Sequence, residues 1–338
     1  MTSLKRRYLS LLEKNNKNVY ENIIYSFLVA LSLLYGFIVR IRNFSYDKGV
    51  FSSTQIDKKV ISIGNLSWAG SGKTTLALYL YRKLTGCYRI AILRRGYGND
   101  EEKLLKEKGA IVFSNINRAA LAKKLSPDYN IFILDDGFQH RKLKRDLDIV
   151  IMAAREFKGN THLIPAYFFR EPLSSLNRAN ILFISYREEL SDWQEIKARL
   201  WRIFPHLAIY SFTYKPKRLL DFSKNEICMA TLQGKRIAAI AAIGYPQGFF
   251  NKLRECKLDI VKTIAYPDHH EFTSEEFRRL QEQLKTNGID AIIMTQKDTY
   301  HIPDNITQLP CYVLEVEIEI DDEEKFMEDV FKRIAPTV

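Results

Sequence analysis

The chain has 338 residues, of which 46 % are hydrophobic and 27 % charged, and its net charge is +11. Those fractions exclude a disordered or fibrous chain, and the length leaves room for two domains. The four cysteines, Cys87, Cys228, Cys256 and Cys311, show no C-x-x-C spacing, which argues against a zinc site and a disulfide framework and for a reducing, cytosolic setting of the active domain. The positive balance asks for an anionic partner without choosing among nucleotide, nucleic acid and anionic lipid.

The first predicted element is a helix over residues 23–39, IIYSFLVALSLLYGFIV, which carries no charge and is flanked by Lys14, Lys17, Arg40 and Arg42. At about 1.5 Å per residue it reaches roughly 25 Å, a little short of a ~30 Å hydrocarbon core. Residues 1–45 are therefore expected to form a membrane-associating segment whose basic flanks meet anionic headgroups. A buried core helix also fits that length. A cleaved signal peptide would need a small-residue cleavage site, and none follows.

Residues 58–63 read as a short strand and 74–84 as a helix, and the loop between them ends in Gly70-Ser71-Gly72-Lys73-Thr74. That is the strand–loop–helix setting of a phosphate-binding loop, G-x-x-x-x-G-K-[ST], except that Ser67 stands where the first glycine belongs. Glycines at 70 and 72 let backbone N–H groups converge on an anion at the helix N-terminus, and Lys73 adds a formal charge. Nucleotide contacts are expected from Ser67, Ala69, Gly70, Ser71, Gly72, Lys73, Thr74 and Thr75, with the Thr74 hydroxyl on Mg²⁺. An ordinary glycine-rich turn is the alternative.

Further strands are predicted at 89–93, 110–113, 130–134, 148–152 and 181–184, a helix at 192–204, and a two-strand or linker region at 210–219. A second series of strands follows at 237–242, 260–264, 291–294 and 311–316. Strand and helix alternating in this way indicate an α/β fold with a mainly parallel sheet. We expect a P-loop core over 46–212 and a smaller α/β lobe over 213–338, closing a cleft.

The strand at 130–134 runs into Asp135-Asp136-Gly137. A carboxylate at the end of a hydrophobic strand completes the Mg²⁺ environment in P-loop enzymes, which nominates Asp135 and Asp136, although Asp-Asp-Gly is also a common turn sequence. Guanine specificity finds no support: D-x-x-G would require aspartate at Leu134, and Gln296-Lys297-Asp298 lacks the spacer of N-K-x-D. ATP is the expected donor.

Taken together, these motifs resemble the tetraacyldisaccharide 4′-kinases of lipid A biosynthesis. The phosphate loop of that family is similar to GN-[IL]-T-x-GG-T-GKTP, which also carries a hydroxyl residue at the position of Ser67; Ala69 and Thr75 replace a usual Gly and Pro. Arg95-Gly96-Tyr97-Gly98 resembles its S-R-G-Y-G, Asp135 to His140 its D-D-G-[FL]-Q-H, and Leu163-Ile164-Pro165-Ala166 with Arg170-Glu171-Pro172-Leu173 its L-P-A-G-x-x-R-E-P. Gly244 to Phe250 resembles G-[IH]-P-x-x-F-F, and Pro267-Asp268-His269-His270 the family's DH motif. Asn99-Asp100-Glu101-Glu102 stands where the family has G-D-E-P, after a shortened insert.

The resemblance implies a P-loop NTPase-type fold and Mg²⁺-dependent transfer of the ATP γ-phosphoryl to the 4′-hydroxyl of a lipid A disaccharide 1-phosphate. It places the enzyme on the cytoplasmic face of the bacterial inner membrane, with no nucleic acid and no obligate protein partner. It further implies Asp100 and His269 as the catalytic dyad beside Lys73, and Arg95, Gln139, His140, Arg170 and Glu171 as acceptor contacts. Each has a plainer reading: Asp100 a helix cap, His269 a loop histidine, Arg170 and Glu171 a surface ion pair. A P-loop kinase of another acceptor and a membrane-tethered ATP-binding regulator remain open alternatives on the sequence.

Overall fold

The computed structural model describes residues 8, 11–12, 14, 16–68, 70, 72–96, 99–157, 160–186, 189–303 and 308–335. Of the expected contacts, Ala69 and Ser71, and Tyr97 with Gly98 of the glycine motif, lie outside the described residues. The chain divides into two compact units, Met1–Thr213 with Ile320–Val338, and Tyr214–Glu319.

In the first unit α1 (Val19–Asp47) is followed by β1 (Lys59–Gly64), α2 (Lys73–Thr85), β2 (Ile90–Arg94), α3 (Asn99–Glu107), β3 (Val112–Ser114), α4 (Arg118–Leu125), β4 (Ile131–Asp135), β5 (Leu147–Ala153), β6 (Ile181–Ser185), α5 (Trp193–Ile203) and β7 (Ala208–Asp221). The strands pair in parallel in the order β7-β6-β5-β1-β4-β2-β3. Every residue of β2, β4, β5 and β6 is buried, as a parallel sheet covered on both faces requires, which is why these strands read as unbroken apolar runs. Helix α2 packs through Leu76, Ala77, Leu80 and Leu84, one helical stripe. Strands 2 to 4 lie to one side of β1 and strands 5 to 7 to the other. The chain thus reverses direction at β1, and ligands bind outside the strands' carboxyl ends at such a switch point.

Helix α1 begins with a capping box between Asn18 and Glu21 and is docked by its polar, small-residue face. Ser32, Gly36 and Val39 are buried, and the Ser32 hydroxyl donates to the Leu163 carbonyl at 2.8 Å. The opposite face shows Ile23, Phe27, Leu34, Phe37 and Phe44 to solvent, each more than half exposed. Only 17 % of its most apolar window is buried, so the core-helix alternative does not hold.

The second unit contains β8 (Glu226–Ile227), β9 (Ile237–Ala241), α6 (Pro246–Glu255), β10 (Ile260–Ala265), α7 (Ser274–Thr286), β11 (Ala291–Thr295) and most of β12 (Cys311–Ile320). Its parallel strands run in the order β10-β9-β11-β12, followed by the distal half of β7. The stretch 210–219, expected as two strands or a linker, lies within the single 14-residue β7. Its basic residues face acidic partners. Lys217 meets Glu317 at 2.9 Å, Arg218 meets Glu315 at 2.8 Å, and Lys215 pairs with Glu319, all on β12, so the charges are one rung after another of a cross-strand ladder.

The sequence reading placed the C-terminal segment in the second lobe, but α8 (Glu323–Ile334) groups with the first unit. Its apolar face explains this: the Phe326 ring lies edge-on to Phe183 of β6 at 4.8 Å, and the Tyr210 hydroxyl of β7 donates to Asp329 at 2.7 Å.

Candidate functional site

The phosphate loop leaves β1 at Gly64 and enters α2 at Lys73. Gly72 precedes the helix at φ 94°, in left-handed space where a side chain would be strained. Gly70 is exposed, and Thr75 sits in the first turn of α2. Ser67 is fully buried, its hydroxyl donating to one oxygen of the Glu156 carboxylate; the other oxygen accepts the Ala153 N–H at 2.8 Å. Burial pushes the Glu156 carboxyl up, against these hydrogen bonds and the charges of Arg155 and Lys73. A serine pinned by a buried carboxylate from beyond β5 therefore replaces the first glycine. Its side chain is turned into the fold, which leaves the backbone to face an anion.

Thr74 and the two aspartates meet at the carboxyl edge of β4. The Thr74 hydroxyl donates to Asp135 Oδ2 at 3.4 Å, and Arg94 Nε donates to the same oxygen at 3.0 Å. Asp135 Oδ1 is buried and has no hydrogen-bond partner among the described residues. Asp136, at φ 52°, turns the other way. It receives both Nη groups of Arg170, at 3.0 and 2.8 Å, and lies 3.8 Å from Lys73 Nζ. Burial opposes its charge, but the Arg170 hydrogen bonds and the nearby Lys73 outweigh that and hold the carboxyl well below the usual range. Gly137 is needed for close approach: a Cβ there would stand 2.6 Å from Leu134 Cβ and 2.8 Å from Ser62 Oγ.

The residues expected at the acceptor have partners within the fold. Arg170 also donates to Asn65 Oδ1, and its main-chain carbonyl accepts the Tyr35 hydroxyl of α1 at 3.0 Å. Glu171 is 1 % exposed and is committed to Arg178 at 2.8 Å and Asn43 of α1 at 2.7 Å. The Gln139 side-chain amide donates to the Asn65 main-chain carbonyl at 2.9 Å, while the Gln139 main-chain carbonyl accepts Arg42 of α1 at 2.6 Å. Burial, then Arg118, Arg145, Lys142 and Arg42, bring the His140 imidazole down to about 4, so it is neutral at physiological pH. Arg95 is exposed just past the end of β2. Helix α1 is thus hydrogen-bonded to both of these motifs, through Tyr35, Arg42 and Asn43.

Asp100 lies in the first turn of α3 in the first unit, and His269 belongs to the second unit. His269 has φ 58° and donates its N–H to the Ala242 carbonyl at 3.1 Å. Its neighbour His270 meets Glu276 at 3.0 Å and stacks on Tyr266.

Sequence reasoning missed Glu156, Asn65, Arg94 and Arg118. Arg118 donates to the main-chain carbonyls of Asp135 at 2.9 Å and Asp136 at 3.2 Å, fixing the turn between them. The one available signal was the doubled arginine at 94 and 95, where alternation along a strand points the two side chains to opposite sides. A glycine-lined helix N-terminus, a lysine and a strand-end carboxylate in this arrangement are equipped for phosphoryl transfer from a nucleotide.

The model of the family described as Tetraacyldisaccharide-1-P 4'-kinase matches residues 24–335. A tetraacyldisaccharide 4'-kinase of Anaeromyxobacter dehalogenans (strain 2CP-C) is 33 % identical over 291 residues, covering 78 % of this chain and 77 % of that protein. Another, of Halothermothrix orenii, is 28 % identical over 363 residues and covers 94 % of each chain. The crystal structure of LpxK from Aquifex aeolicus in complex with ATP has a TM-score of 0.71 at 27 % identity, covering 92 % of this chain and 99 % of that one.

Proposed function

Because the chain belongs to the tetraacyldisaccharide-1-P 4'-kinase family, we propose that its first unit binds ATP and Mg²⁺ at the loop over 67–75 and transfers the γ-phosphoryl beside Arg170. The reaction is ATP-dependent phosphorylation of the 4′-hydroxyl of tetraacyldisaccharide 1-phosphate, a step of lipid A biosynthesis. The observation that carries the Mg²⁺ assignment is the buried Asp135 Oδ1, which has no hydrogen-bond partner among the described residues, on the carboxylate that accepts the Thr74 hydroxyl. A buried carboxylate oxygen without a donor is costly unless a cation is its partner. Thr74 and Asp135 would hold the ion, with Asp136 occupied by Arg170 and Lys73. An ion held there would supply positive charge against that of the transferring phosphoryl group.

Asp135→Asn tests this. Wild-type protein is expected to bind ATP more tightly with Mg²⁺ than without, whereas the variant binds equally well in both conditions and turns over on the order of a hundredfold more slowly. An unchanged Mg²⁺ dependence in Asp135→Asn contradicts the assignment.

For the acceptor, Arg170 suits a phosphate or sugar oxygen, Gln139 and His140 lie on the motif whose Asp136 it holds, and Arg95 is a further candidate past the end of β2. Glu171, held by Arg178 and Asn43, positions Arg170 and α1 without touching the acceptor.

We assign α1 to one leaflet of the cytoplasmic membrane face, lying embedded without spanning. Its inner side is tied to the first unit from Tyr25, which accepts from Asn160 at 3.0 Å, to Asp47, paired with Arg141 at 2.5 Å. A spanning helix would surrender those bonds to lipid. The outer apolar stripe and basic flanks match an interfacial helix. Replacing Phe27, Leu34 and Phe37 by Gln is expected to abolish flotation with anionic vesicles and raise KM for micellar acceptor several-fold, with KM for ATP unchanged. Deleting residues 1–42 is a poorer test, since Tyr35 and Arg42 support the acceptor motifs. If the triple variant floats as wild type does, α1 is not the anchor.

A further inference from the structure

The stretch Thr295-Gln296-Lys297-Asp298 lacks the spacer of a guanine-reading motif, yet its aspartate is one of the most buried charged groups in the second unit, at 1 % exposure. Asp298 Oδ1 accepts the N–H of Ala242, the residue after β9, at 2.8 Å. Its Oδ2 accepts the N–H of Thr295 at 2.9 Å and the Thr295 hydroxyl at 2.7 Å, at the end of β11. One carboxylate therefore ties together the carboxyl ends of two neighbouring strands. The same residue carries the tie onward, since the Ala242 carbonyl accepts the His269 N–H at 3.1 Å. His269 sits at φ 58°, a conformation that a residue with a side chain keeps only where its surroundings hold it. The short 3-10 turn that Asp298 opens ends at His301, whose ring stands edge-on to that of His269, centroids 6.0 Å apart.

We propose that Asp298 is a positioning residue for His269, fixing the backbone of the histidine through Ala242 so that the imidazole is presented in one orientation. This rests on reading His269, as the family resemblance implies, as a member of the catalytic dyad. The network has direction: Asp298 fixes Ala242, Ala242 fixes the His269 amide, and the His301 ring limits how the His269 ring can turn. Burial pushes the Asp298 carboxyl up, and the hydrogen bonds from Thr295 and Ala242 act against that shift, so the group is held by donors on both oxygens. An asparagine has a single acceptor oxygen. With it, either the Ala242 or the Thr295 N–H loses its partner.

The test uses the full chain in detergent, with ATP and micellar tetraacyldisaccharide 1-phosphate, and compares Asp298→Asn, His269→Ala and the double variant. A 1 Å misplacement of a catalytic group costs about a hundredfold. Asp298→Asn is therefore expected to lower kcat by about ten- to hundredfold with KM for ATP unchanged, and to speed hydrogen exchange at the His269 amide. In the His269→Ala background the same substitution should cost nothing more, because its effect passes through the missing imidazole. Equal losses in both backgrounds mean a general structural staple and overturn the proposal, as does unchanged exchange at the His269 amide. Full activity of His269→Ala removes the base assignment and this role of Asp298 with it, an outcome distinct from an inactive His269→Ala beside an unaffected Asp298→Asn, which overturns the positioning role alone. Should Asp298→Asn fail to fold, Thr295→Val removes one of the three donors, and its smaller kcat loss must likewise vanish in the His269→Ala background.

Discussion

Lys73→Ala is expected to lower kcat by on the order of a hundred- to thousandfold while the protein melts close to the wild-type temperature. The ammonium stands at the first position of α2, where the helix N-terminus already favours an anion, and supplies the formal charge that compensates the transferring phosphoryl group. Removing one preorganised electrostatic group of this kind costs about 10² to 10³ in rate. Folding should tolerate the change, because Asp136 retains its two hydrogen bonds from Arg170 and alanine is a better helix former than lysine. Saturating-ATP turnover set beside a melting curve checks both halves. A stable variant with near-normal kcat would show that the loop does not hold the triphosphate.

The second large effect is expected at the proposed base. A sugar hydroxyl is a weak nucleophile at neutral pH, so a carboxylate or imidazole must take its proton as the bond to phosphorus forms. Asp100, in the first turn of α3, and His269, fixed by Ala242, are the groups we assign to that step. Asp100→Ala and His269→Ala should each cut kcat by about 10² or more with ATP affinity little changed, and the double variant should be barely worse than either single one. Losses that multiply fully in that cycle would show two independent roles. An unaffected Asp100→Ala enzyme would send the search to Asp136 or Asp268.

What the sequence made legible was chemistry confined to a short stretch. The strand–loop–helix setting of Lys73, the acid pair after β4 and the uncharged run of α1 each occupy fewer than thirty consecutive residues, and local periodicity and turn chemistry report on such runs. The supports were not legible because their partners are remote in the chain. Ser67 and Glu156 are 89 residues apart, and Arg94 and Asp135 are 41 apart. Nothing in the surroundings of Glu156 marks it as the clamp of a loop across the sheet. The continuity of β7 was not legible for a related reason: the glutamates of β12 that meet Lys217 and Arg218 lie far along the chain. The return of α8 to the first unit depends on Phe183 and Tyr210, and no pattern within α8 names those partners. The docking of α1 by its polar face inverts the usual expectation for a soluble helix, and only the exposure of its apolar face shows which side meets protein.

The most direct test is to incubate the full chain with ATP, Mg²⁺ and acylated disaccharide 1-phosphate in mixed micelles and examine the lipid by tandem mass spectrometry. The predicted result is one added phosphate, located on the 4′-hydroxyl of the distal sugar, with ATP consumption dependent on the acylated acceptor. ATP hydrolysis that proceeds without the acceptor and leaves the lipid unmodified would contradict the assignment.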